Sequence, residues 1–139
     1  MRELFTITFV FVTAWAIGAS AATVAVEGMF PVRWADPEVH LLIQQLGSDD
    51  LDSEESLGAV RTALATWEAV PCGTARFVED GYAPDPGTNL LTGSAPNGLN
   101  EVVWVEDESW LFGGGVLGVT APMRGSNGEI IEADIAFNG

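Results

Sequence analysis

The chain has 139 residues, 20 of them Asp or Glu against 5 Arg and no Lys, for a formal charge of −15. That balance excludes a nucleic-acid partner, whose phosphates need clustered Lys and Arg, and docking on an anionic membrane surface. The length suits one domain and the 47 % apolar content separates it from disordered acidic chains; one Cys leaves no intramolecular disulfide, and one His leaves no zinc site built on several histidines.

Residues 4–17, Leu4 to Ile17, carry no charge. The run is shorter than the about twenty apolar residues that span a bilayer as a helix. Small residues follow it, Gly18-Ala19-Ser20-Ala21, and Ala19-x-Ala21 fits signal-peptidase cleavage. The pattern predicts a signal peptide over residues 1–21 and a secreted, extracellular protein with no membrane contact after cleavage. The competing readings are a retained membrane anchor or a buried core segment. Arg2 and Glu3 would leave together, so the mature chain, residues 22–139, keeps the charge of −15.

An apolar run, Val39 to Leu46, opens the mature domain as its first strand. Asp52 can cap a helix, with Glu55 three residues on as reciprocal partner, and Glu54 and Glu55 suit the positive end of the helix dipole. Leu57, Val60, Leu64 and Trp67 recur at helical spacing. Pro71 then stops the helix. A helix over residues 53–69 follows, with Trp67 closing its buried stripe.

Further strands are expected at 75–79, 101–106 and 116–121. A last strand is expected where Ile131, Ala133, Ile135 and Phe137 alternate with Glu132, Asp134, Ala136 and Asn138. Residues 80–100, punctuated by Pro84, Pro86 and Pro96, read as a long loop. A helix between the first two strands points to a parallel pair joined by a right-handed crossover. The fold class is therefore α/β (α+β), a twisted, mostly parallel five-stranded sheet with one long helix on one face. The opposite face is expected to be bare.

The ordered set Trp34, Ala63-Leu64-Ala65-Thr66-Trp67, Ala75 to Glu79, Gly115-Val116-Leu117-Gly118-Val119-Thr120-Ala121-Pro122 and Glu132-Ala133-Asp134-Ile135-Ala136-Phe137-Asn138 resembles the matrixin-type zinc metallopeptidases of the metzincin group. The resemblance covers residues 33–139. It implies that 63–79 correspond to the family's first helix and second strand. It implies that Val116, Leu117, Gly118, Val119, Thr120 and Ala121 form the edge strand that binds a polypeptide substrate antiparallel through main-chain hydrogen bonds. It also makes Ala133 to Asn138 the fifth strand, which in the family precedes the active-site helix. The family's H-E-x-x-H-x-x-G-x-x-H signature supplies zinc ligands and general base and does not occur here; His40 is the only histidine. The expected reading is thus an N-terminal metallopeptidase fragment that binds no catalytic zinc and cleaves nothing alone, zinc belonging to the full-length protein. An in-frame H-E-x-x-H encoded beyond codon 139 would decide for the enzyme. Vertebrate members carry a structural zinc on histidines of the fourth and fifth strands; Val119 and Ala136 stand at those positions. Asp134 and Asn138 match oxygen ligands of calcium, the alternative being an ordinary solvated strand face.

Other chemistry is weaker. Cys72 and His40 have no sequence relation that suggests a thiol catalyst. Asp49 to Glu55 lacks the spacing of an EF-hand loop. Glu106, Asp107 and Glu108 read as a polar strand end rather than a glycosidase pair. Gly113-Gly114-Gly115 opens no helix and has no Lys, so it is a hinge rather than a phosphate loop. The reading from a different class is a non-catalytic acidic secreted binding or surface module that uses the same edge strand.

Overall fold

The computed structural model describes residues 26–27, 30–84 and 95–139; the predicted signal peptide lies outside them. In chain order the elements are β1 (Val26–Glu27), β2 (Phe30–Pro31), β3 (Arg33–Trp34), β4 (Glu38–Gln44), α1 (Ser53–Glu68), β5 (Arg76–Ala83), β6 (Glu101–Val105), β7 (Gly118–Arg124) and β8 (Glu129–Asn138). β1 and β2 form a short antiparallel pair. The rest make one sheet in the order β3-β8-β6-β4-β5, with β7 paired to β8. The β4/β5, β4/β6, β6/β8 and β3/β8 pairs are parallel, and β7/β8 alone is antiparallel. This is the expected α/β class with a mostly parallel sheet and one helix. The two-residue β3 was not expected.

The helix begins as its residues dictate. Asp52 is extended and its carboxylate accepts from the amide of Glu54 at 2.9 Å. The turn before it needs glycine: Gly47 has φ +68°, and a Cβ there would overlap Ser56. Ser56 is buried, and its hydroxyl accepts the amide of Ser48 at 3.2 Å. Arg61 fixes α1 to β5 through a two-pronged ion pair with Glu79 at 2.7 and 2.8 Å.

The core sits on both sheet faces. On the helix side Val39, Leu41, Ile43, Leu57 and Val102 are buried, with Val60, Leu64, Trp104, Ile135 and Phe137 packed against them. On the other side Ala83, Val103, Val105 and Ala136 are buried against Leu42, Trp110 and Val119.

Four expectations change. β5 runs on to Ala83, through residues read as loop, because its partner β4 extends alongside as far as Gln44. β7 begins at Gly118, so Val116 and Leu117 lie before the strand; Val116 closes a turn onto the carbonyl of Gly113 instead. The face opposite α1 is packed, not bare, since Trp110 from the loop after β6 covers part of it. Trp67 is 69 % exposed. Only Ser56 and Leu57 of α1 are buried, so the helix seats its first half and holds its last turn off the sheet.

Candidate functional site

β7 is an edge: it pairs with β8 and with no other described strand. The register fixes which backbone groups face outward. Val119 lies opposite Ala136, Thr120 opposite Ile135 and Pro122 opposite Ala133. The Ala133 amide donates to the Asn100 side chain, on the β6 side of the strand, at 2.8 Å. The Pro122–Ala133 pair therefore exchanges no backbone bonds, and the ring nitrogen of Pro122 faces the free edge. Alternation puts the amides and carbonyls of Gly118 and Thr120 on that edge as well. Leu117 keeps the opposite phase, its carbonyl accepting from Asn138 at 3.0 Å. Of the six residues expected to bind substrate, Gly118, Val119, Thr120 and Ala121 are thus in the strand, and two of them present free backbone. The Thr120 hydroxyl ties the strand to the Asp134 carbonyl at 2.6 Å.

The two positions matched to structural-zinc histidines, Val119 and Ala136, are direct cross-strand partners. Both belong to the apolar cluster opposite α1, so an apolar contact stands where two zinc ligands would meet.

Behind this strand lies a buried polar patch that periodicity alone did not reveal. Glu101 is 0 %, Glu132 1 % and Asp134 3 % exposed. Asp134 Oδ1 accepts the Glu101 amide at 3.0 Å. Glu132 Oε2 accepts the Gly98 amide at 2.6 Å. Asn97 donates to Glu101 Oε2 at 3.3 Å, while Glu101 Oε1 is buried with no hydrogen-bond partner. Burial pushes the Glu101 carboxyl above its usual range; the Asn97 amide opposes that, and the adjacent Asp134 and Glu132 charges add to it. Asn100 binds the strands together, donating to the His40 carbonyl at 2.8 Å while accepting from Ala133. The only sequence cue for this patch was the alternation of acids with apolar residues along β8.

Asp134 and Asn138 stand four positions apart on β8, about 13 Å along an extended strand. They cannot share one calcium ion, whose oxygens sit about 2.3–2.6 Å away. Zinc does not fit the residues present. His40 is exposed on β4, its Nδ1 2.7 Å from Asp80 and its Nε2 3.3 Å from Glu38. Among the described residues no three His, Cys, Asp or Glu side chains are grouped to hold a metal ion. Cys72 is exposed and free. No helix among the described residues is long and apolar enough to cross a membrane. Comparison with protein-family models, curated proteins and solved structures finds no match for this chain.

Proposed function

We propose that this chain is the N-terminal part of a secreted zinc metalloendopeptidase domain of matrixin type, inactive alone, whose β7 edge takes an extended polypeptide as an added strand. The carrying observation is the pairing of Val119 with Ala136. The family resemblance matches these positions separately to histidines that hold one structural zinc in members of the family, which requires them to be neighbours. Their adjacency supports the resemblance, and the antiparallel edge position of β7 supports the substrate role. Two outward residues, Gly118 and Thr120, would bond the peptide main chain before Pro122 removes the next donor.

Calcium is left out of the proposal, because Asp134 and Asn138 stand about 13 Å apart along β8 and cannot share one ion.

The second reading, an acidic secreted module that binds by the same edge without catalysis, is favoured by the packed face opposite α1. Both readings predict that an extended peptide slows amide exchange at Gly118 and Thr120 while Val119, already paired to β8, is unchanged. Protection elsewhere, and none at those two amides, sinks both. Their separation comes from the coding sequence beyond codon 139, where an in-frame H-E-x-x-H supports the peptidase.

A further inference from the structure

The glycine that opens β7 is not there for its backbone. Gly118 is not among the glycines with positive φ, so its conformation suits residues that carry a side chain. What excludes one is Phe137, its partner on β8: a Cβ at Gly118 would stand 3.0 Å from a carbon of the Phe137 ring. The ring lies against the glycine, as aromatic residues do beside glycines in edge strands. Phe137 in turn pairs with Trp104 of β6, the ring centroids 5.5 Å apart. Gly118, Phe137 and Trp104 thus form one cross-strand row on the α1 side of the sheet. Both rings are half-buried and line a groove of about 330 Å³ between α1 and the sheet, with Ala63, Leu64 and Trp67 of α1. The next row on this face differs. It runs Thr120, Ile135, Val102, and Thr120 fills its own place, its hydroxyl bonded to the Asp134 carbonyl at 2.6 Å.

We propose that the peptide residue facing Gly118 carries a large apolar side chain, which crosses the gap left by the glycine and packs on Phe137, whereas the residue facing Thr120 is unselected. This rests on the edge reading above and names the sequence that the edge takes. The register is confined from both ends. The Val116 amide is taken by the Gly113 carbonyl at 3.1 Å, and Pro122 has no amide. Gly118 and Thr120 are therefore the two residues of this stretch whose amides are open to an added strand. Reach then decides what is selected. Directly opposite Cβ positions in paired strands lie about 4.5–5.5 Å apart, and apolar contact needs heavy atoms within about 4.0–4.5 Å. An alanine facing Gly118 stops short of the Phe137 ring, while Leu or Phe covers the interval. The residue facing Thr120 meets a side chain that already occupies the interval, so its size matters little.

The probe is a capped heptapeptide, three Thr on either side of one variable residue, added to the full chain. With Phe at the centre it should bind about fivefold more tightly than with Ala, the size of one cross-strand aromatic contact. Amide exchange should slow at Gly118 and Thr120 with either peptide at saturation. Moving Phe two places along the peptide should keep it facing Gly118 and slide the rest of the chain. A nitroxide on the first peptide residue would then broaden protein signals two residues further along the edge. Phe137→Ala should bring the Phe and Ala peptides within twofold of each other. Gly118→Val, which fills the gap and keeps the amide, serves if that variant does not fold. Protection of both amides with the two peptides within twofold in the parent protein overturns the proposal and leaves the edge reading standing. So does a preference that survives in whichever variant folds, which would place the side chain elsewhere. No protection at Gly118 and Thr120 with either peptide sinks the edge reading and this proposal with it.

Discussion

His40 is held from both sides of its ring by Asp80 and Glu38, and the hydrogen bond to Asp80 raises its pKa above the usual 6.5. A group whose folded pKa is raised stabilises the fold below its unfolded pKa and loses that contribution as pH rises through the folded value. The thermal midpoint should therefore decline as pH climbs upward from about 6.5, and His40→Gln should flatten that segment alone. Parallel curves for parent and variant would show that the pair contributes nothing. Trp67 and Ile43 make the contrast in packing. Trp67 completes a helical stripe in sequence, yet a stripe records only angular position around the helix, not how far each turn stands from the sheet. At 69 % exposed its truncation to Ala should cost less than about 1 kcal/mol in urea unfolding. Ile43, 0 % exposed, should lose about 2–5 kcal/mol on truncation. Equal midpoint shifts would place Trp67 back in the core.

Among the elements, α1 was almost fully legible, expected over 53–69 and found at Ser53–Glu68, because cap, dipole and periodicity all agree there. The parallel β4/β5 pair followed from the helix between them. β8 was legible as a strand but not in its orientation. Alternation suggested apolar residues inward and acids outward. Instead Glu132 and Asp134 are buried while Ile135 and Phe137 are only half-buried. The reason lies outside β8: the loop at residues 95–100 folds onto the acid side and supplies Gly98, Asn97 and Asn100 as hydrogen-bond partners to β8 and Glu101, whereas α1 covers only part of the apolar side. No single-strand pattern carries that information. β7 belongs to this scale as well. Its Pro122 turns a nitrogen without hydrogen to the open edge, which is how natural edge strands limit pairing with other chains. Pro122→Val should restore a donor and increase self-association in sedimentation velocity, most clearly at high salt. Unchanged sedimentation would mean that Pro122 does not guard the edge.

At the scale of the molecule, two surfaces invite association and one property opposes it. The groove beside α1 exposes apolar side chains, and the β7 edge leaves backbone groups unpaired. The charge of −15 keeps copies apart at low ionic strength, and screening at physiological salt shortens that repulsion to a range of about 8 Å. The protein should accordingly bind a hydrophobic dye while still monomeric, because the groove needs no partner to be open, and Ala63→Glu should reduce that signal. Association should appear only as salt rises and should run through β7, since the edge offers uncharged backbone groups to a second chain. Dye fluorescence and sedimentation velocity across a salt series test both statements together. If the protein binds no dye, stays monomeric throughout and unfolds in one sharp transition, the apolar face beside α1 is not an open surface in solution. If association does occur but Ala63→Glu blocks it and Pro122→Val leaves it unchanged, the contact runs through the groove.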